Sequence, residues 1–268
     1  MMELVDIQKT VDDRQVALDQ VGVCDLKYPI TVLDRSQGKQ QTIANVALSV
    51  SLAPEVKGTH MSRFISIMNS YRGEITMKAI PNILQDLKLK LEAEAAQVSM
   101  SFPYFIEKTA PVSGERGYLD CQCRFDGESG PQGQKFQMQV KVAVASLCPC
   151  SKAISDYGAH NQRGEVEMNV RLAEADGKLA KVWIEELFEI AEQSASAPLY
   201  PLLKRPDERF VTMQAYENPA FVEDIVRNVA VRLREDERIA SFDVKVTNFE
   251  SIHAHNAFAV TRFVRDSG

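Results

Sequence analysis

The chain has 268 residues, 45% of them hydrophobic and 25% charged, enough apolar sequence to fill a core without disulfides or a structural metal. A formal net charge of -6 argues against a broad nucleic-acid surface, which needs a clustered basic excess, and no run of about eighteen apolar residues offers a membrane span. Five cysteines, an odd number behind an N-terminus without the basic and apolar regions of a secretory signal, read as reduced thiols in a cytoplasmic protein.

Residues 1–26 are expected to form an N-terminal extension. Residues 27–33 and 42–53 alternate apolar and polar side chains, the period of half-buried strands. Two stretches with helical spacing follow, 60–72 and 80–96, and then strands at 97–106 and 117–126. The second half repeats this order, with strands at 134–146 and 164–173, helices at 182–194 and 219–235, and strands at 239–249 and 256–265. Asn218 and Pro219 suit the N-cap and first position of the last helix. The repetition predicts an α+β chain of two modules, 27–130 and 131–268, each strand, strand, helix, helix, strand, strand.

Between the strands at 134–146 and 164–173 lies SLCPCSKAISDYGAHNQRG, too long for a hairpin loop and rich in reactive side chains. Cys148 and Cys150 flank Pro149 where the strand ends, and His160 follows in the same segment. A thiolate and an imidazole in one loop suit either metal ligation or a thiol activated by a base; the plainer alternative is small buried thiols and a surface histidine. TNFESIHAHNAF places Glu250, His253 and His255 at another strand end, where they can complete a metal site begun elsewhere or stand as an exposed pair. Glu208 in LLKRPDERF and Glu223 in ENPAFVED are solvated surface acids when taken alone. Lys57, His60 and Arg63, around GTHMSRF, can meet a phosphate at a helix start or simply begin the helix. Cys121 and Cys123, two apart on a strand, share a face and read as core or interface filler, as does Cys24.

Together GTHMSRF, SLCPCSKAISDYGAHNQRGEV, LLKRPDERFVT, YENPAFVED and ESIHAHNAF span nearly the whole chain, and this set resembles the prokaryotic type IB GTP cyclohydrolase I family. The resemblance implies tandem tunnelling-fold modules, each an antiparallel sheet with helices on one face, assembled as a homotetramer with active sites between subunits. It implies conversion of GTP to 7,8-dihydroneopterin triphosphate and formate, feeding folate and 7-deazaguanine pathways. Carried over by motif, Cys148, Glu208, His253 and His160 look like ligands of a divalent metal, zinc by preference with manganese or iron also admitted. By the same resemblance Cys150, His160 and Glu250 are the catalytic candidates. Glu223 is the expected anchor for guanine, its two oxygens accepting from N1–H and the exocyclic amine. Lys57, His60 and Arg63, with Lys152 or Arg205, are candidates for the triphosphate. Met213 stands where many relatives would carry an acidic residue. Two other readings compete: a tunnelling-fold nitrile reductase that uses a cysteine nucleophile, and a nucleotide-binding protein without turnover.

Overall fold

Every second residue of β2 (Gly38–Leu52) is buried from Ala44 to Leu52, as the alternation of that segment requires. The structure, a computed structural model, describes residues 6–71, 75–175 and 178–265. Parts of the expected extension (1–5), of the first helix (72) and of the chain end (266–268) lie outside the described residues. Internal contacts group the chain into two units, Met1–Phe102 with Arg124–Gln137, and Pro103–Cys123 with Met138–Gly268.

In the first unit, β1 (Leu18–Asp34) pairs antiparallel with β2, and β2 with β3 (Ala96–Thr109). The strand β1 begins at Leu18, nine residues before the alternation becomes legible. Register shifts between Leu18 and Val21 and between Val23 and Leu26 break the period, and Asp25 takes φ 58°. Gly22 permits the close approach, since a Cβ there would stand 1.9 Å from the Leu48 carbonyl oxygen. Helix α1 (Met61–Ser70) buries Phe64, Ile67 and Met68, and α2 (Ile80–Leu91) buries Ile80, Ile83, Leu84, Leu87 and Leu91, the i, i+3, i+4 spacing of a single apolar stripe. Helix α2 stops five residues short of the expected end because Glu92 turns left-handed at φ 55°. Under α2 lies Gly127 of β4 (Arg116–Gly130), where an added Cβ would meet Ile80 Cγ2 at 2.4 Å.

In the second unit, β5 (Gly133–Leu147) is followed by a short helix α3 (Pro149–Ile154) and by β6 (Asn161–Leu172). After the short pair β7 (Glu174–Ala175) and β8 (Lys178–Leu179) come α4 (Ile184–Ser194), α5 (Arg205–Glu217) and α6 (Val222–Glu235). Strands β9 (Ile239–Asn248) and β10 (Ala257–Val264) close the chain; β6 pairs with β9 and β9 with β10, both antiparallel. Val222, Ile225, Val226, Val229 and Leu233 of α6 are buried on the face that packs on β9 and β10, each such side chain being worth about 1.5–3 kcal/mol over exposure. The hydrogen-bonded strand order is β1-β2-β3-β4-β5-β6-β9-β10, so the chain is an α+β protein built on an antiparallel sheet. Among the described residues no helix is long and apolar enough to cross a membrane.

Three further features depart from the expected elements. Helices α3 and α5 fall in stretches with no expected helix, and α6 starts at Val222 with Phe221 as N-cap rather than at Pro219. Asn218 instead closes α5, its backbone N–H donating to the Gln214 carbonyl while its side-chain amide donates to the Ala195 and Ser196 carbonyls. The start of α6 is held by Asp224, whose carboxylate accepts from the Phe221 N–H at 3.0 Å.

Candidate active site

Three segments of the second unit end close together. At the close of β5, Cys148 is the N-cap of α3, and its Sγ accepts from the Ser151 N–H at 3.4 Å. Pro149 at the first helical position starts that helix without needing a donor. The Cys148 N–H donates to the His160 carbonyl at 3.1 Å, so thiol and imidazole are joined through the backbone. Ser151 adds a second tie: its hydroxyl donates to the Cys148 carbonyl and accepts from the His160 N–H. Cys148 is half-buried, whereas Cys150 in the first turn of α3 is exposed.

The connection between β9 and β10 brings Glu250, His253 and His255 to the same place. The His160 and His253 rings lie 6.1 Å apart edge to face, and His255 stacks on His253 at 5.2 Å. Each of the first two imidazoles has Nδ1 engaged, His253 with Glu250 Oε2 at 2.9 Å and His160 with Gln162 Oε1 at 2.9 Å. With Nδ1 donating to an oxygen, the lone pair sits on Nε2, the atom a histidine uses to bind a metal or accept a proton.

A buried polar network frames this region. Asn248, the last residue of β9, donates through Nδ2 to Ser146 Oγ at 3.0 Å, and Ser146 Oγ donates to the Ala220 carbonyl at 3.2 Å. The strand end that carries Cys148, the strand end that precedes Glu250 and the loop that leads into α6 are thus joined through two side chains. Gly164 leaves room for the amide, because a Cβ there would stand 2.8 Å from Asn248 Oδ1.

The remaining expected residues occupy other positions. Glu208 and Glu223 lie exposed in the first turns of α5 and α6, so the Glu223 carboxylate is open to solvent within one chain. Lys152 donates to the Tyr216 carbonyl and lies over that ring at 4.2 Å, and is engaged by α5. Lys57, His60 and Arg63 belong to the first unit. There the Lys57 N–H donates to the Thr10 carbonyl, His60 Nε2 lies 3.1 Å from Asp6 Oδ2, and Arg63 donates to the Lys90 carbonyl. Among the described residues no three His, Cys, Asp or Glu side chains of the single chain converge on a point that could hold a metal ion.

The sequence matches the family described as type I GTP cyclohydrolase FolE2 over residues 4–259. The GTP cyclohydrolase FolE2 of Thermosipho melanesiensis is 49% identical over 254 residues, 95% of this chain and 96% of the relative. The chain belongs to the FolE2 family of GTP cyclohydrolases. The FolE2 of Nitrosococcus oceani is 47% identical over 257 residues, with 95% of this chain and 93% of the relative covered. Among solved structures, the uricase of Arthrobacter globiformis is similar in fold at a TM-score of 0.55 with 9% identity, covering 93% of this chain and 94% of the uricase.

For a FolE2-family chain the donor chemistry is suited to a divalent cation. One thiol, two imidazoles with open Nε2 atoms and a carboxylate are the ligand types that borderline metals such as zinc take. Sequence reasoning missed three residues with a tying role: Ser151 and Gln162 beside His160, and Asp207, which holds the start of α5 by accepting four hydrogen bonds. A serine three residues after a cysteine N-cap and a glutamine two residues after a histidine carry no pattern of their own. Asp207 did leave a signal, an acid at the third position of a helix whose second residue is Pro206.

Proposed function

We propose that this chain is a metal-dependent GTP cyclohydrolase of the type IB kind. It opens the imidazole ring of guanine by hydrolysis and yields 7,8-dihydroneopterin triphosphate and formate, the entry to folate and 7-deazaguanine synthesis. In this reading the chain is two tandem tunnelling-fold modules that assemble as a cytoplasmic homotetramer with active sites between subunits. The observation that carries it is the imidazole pair, His160 and His253, each with Nδ1 engaged and Nε2 open, with the half-buried Cys148 tied to His160 through the backbone, in a chain matched to the family over residues 4–259.

Cys148, His160, His253 and Glu208 would hold the divalent ion, zinc or alternatively manganese or iron. When bound, that ion supplies Lewis acidity that makes water a competent nucleophile near neutral pH. Glu223 orients the base by accepting from guanine N1–H and the exocyclic amine, which presents C8 for attack. Glu250 fixes the His253 ring by accepting from Nδ1, and its carboxylate can exchange a proton with the ring nitrogens as the C8–N bonds break. If Cys148, His253 and Glu208 hold the ion without His160, its Nε2 is instead a second station for those protons, since one lone pair cannot serve both roles. Cys150, exposed in the first turn of α3, would act on the reacting carbon or the ribose. Lys57, His60 and Arg63, with Lys152 or Arg205, neutralise the triphosphate.

The test is direct. Chain purified without chelator is assayed for formate and a pterin chromophore from GTP, with zinc, manganese or iron added. Both products are expected with at least one metal, and Cys148→Ala is expected to lose bound metal and activity together. No product with any of the three would defeat the reading. Full metal retention in Cys148→Ala would remove that thiol from the ligand set.

A further inference from the structure

Helix α5 carries Glu208, yet it has little packing to hold it in place. Its sole buried side chain among the described residues is a charged one, Asp207, whereas Phe210, Met213 and Tyr216 are exposed. A helix without an apolar anchor is located by its polar ties. At its C-terminal end these are Asn218, donating to the Ala195 and Ser196 carbonyls, and Lys152, donating to the Tyr216 carbonyl. At its N-terminal end the tie is Asp207. Oδ1 accepts from the Val112 and Ser113 N–H groups, each at 2.8 Å. Oδ2 accepts from the Ser113 hydroxyl at 2.6 Å and from the Lys204 N–H at 2.9 Å.

Three of these four donors, from Val112 and Ser113, lie at the tip of the β3–β4 hairpin, which is itself closed by the Ala110 N–H donating to the Glu115 carbonyl and the Gly114 N–H donating to the Ala110 carbonyl, with Gly114 at φ 73°. Asp207 therefore joins two pieces far apart in sequence, a rigid turn and the first turn of α5. Glu208 is the next residue in that turn, and its N–H donates to the Lys204 carbonyl. An ordered carboxylate with all four of these contacts leaves the adjacent backbone little freedom, and the reach of Glu208 is set from there.

We propose that Asp207 is the positioning residue for Glu208: a buried carboxylate that clamps the start of α5 to the β3–β4 turn and so fixes where the Glu208 side chain can act. This rests on the reading that Glu208 belongs to the reaction centre. Asparagine at position 207 keeps one acceptor oxygen but turns an amide N–H2 toward the Lys204 N–H, so it breaks the clamp while conserving shape.

The full-length chain and the variants Asp207→Asn, Ser113→Ala, Ser113→Thr and Glu208→Gln are compared for zinc bound per chain, kcat and KM for GTP, melting temperature and amide exchange over residues 205–217. Asp207→Asn, assayed well below its melting point, is expected to lose about 10–100-fold in zinc affinity and kcat, with KM for GTP within about threefold and faster exchange confined to α5. Should Asp207→Asn fail to fold, the exposed Ser113 pair carries the test. Ser113→Ala is expected to move zinc and kcat in the same direction, and Ser113→Thr, which restores the hydroxyl, to recover them. Zinc and kcat left intact in Asp207→Asn while Glu208→Gln is impaired would overturn the clamp alone. Glu208→Gln with full activity would show that Glu208 lies outside the centre, and the proposal would fall with that reading. Ser113→Thr no better than Ser113→Ala would mean general loosening and would also overturn it.

Discussion

At His253 the side chain is 49% exposed, while its partner Glu250 is 11% exposed. A half-exposed ring on a loop contributes little packing, so its replacement should leave stability within about 0.5 kcal/mol. The chemistry assigned to the pair is more demanding. Removal of a positioned acid–base group typically costs about 10²–10⁴ in rate, and Glu250 also selects the His253 tautomer that leaves Nε2 open. Glu250→Ala is therefore expected to lower kcat by about 10²-fold or more; because Glu250 itself is mostly buried, its loss is also expected to lower the melting temperature, and the assay is run well below it. Steady-state kinetics beside a thermal melt would check this; a variant that stays fully active would exclude Glu250 from proton transfer. The cysteines show how far single residues were legible. Cys121 and Cys123 are buried with their sulfurs 3.8 Å apart, as two residues on one strand face should be. Burial first, then the neighbouring Cys121 and Glu185, pushes the Cys123 thiol well above its ordinary value, so it stays protonated and inert. Cys24, expected as filler, is exposed, because the shifted register of β1 turns it outward and that shift has no signature in the local alternation.

Ser146 and Asn248 act on whole elements, since they join the ends of β5 and β9 to the loop before α6. Both are buried. Ser146→Ala would strand the Asn248 amide donor without its acceptor, at a cost of about 1–3 kcal/mol, whereas replacing both partners with apolar groups of similar shape should cost less than the two single changes summed. Urea denaturation of Ser146→Ala, Asn248→Leu and the double variant would measure that coupling, and strictly additive losses would show that the bond carries none. The same elements show what the sequence made legible and what it did not. Strands and helices with a clean period, such as β2 and α2, were readable because a single solvent boundary writes one pattern along them. The first residues of β1 were not, since bulges reverse which face is inward. Helix α5 was hidden for a different reason: its exposed apolar residues form no core stripe, and its location depends on Asp207 meeting a turn about 95 positions earlier in the chain. The motif residues of the candidate site were visible as types, but the tautomer-setting partners Glu250 and Gln162 acquire their meaning only when the rings are placed.

Over the whole molecule, 37 acidic residues outnumber 31 basic ones, so carboxylate protonation dominates the response to acid. Two kinds of carboxylate respond with opposite sign, Asp236 and Asp207 on one side and Glu192 on the other. Asp236 is held below the ordinary carboxylate range by the Arg238 guanidinium, which outweighs the effect of burial. For Asp207 burial would raise the value, but the Ser113, Lys204 and Val112 donors prevail and hold it down. A carboxylate depressed in the folded state takes its proton more readily when unfolded. Its stabilisation is complete above the ordinary value of about 4 and drains away as the pH falls below that toward the folded value. Glu192 behaves in the reverse sense: burial raises it despite the Lys108 ion pair, so it opposes folding at neutral pH and that cost fades as the pH falls through the raised value toward about 4.3. The two windows do not overlap, and the melting temperature is expected to hold or rise slightly from about pH 7 to 5 and to fall steeply below about pH 4. The contribution of Asp236 can be isolated by the same scan on Asp236→Asn. The variant should melt below the parent by a constant margin above about pH 5, and the margin should close under about pH 4, where the parent's carboxylate begins to lose its charge advantage. A margin still open at the acid end would mean that Asp236 stabilises by shape and hydrogen bonding, without a contribution from its charge.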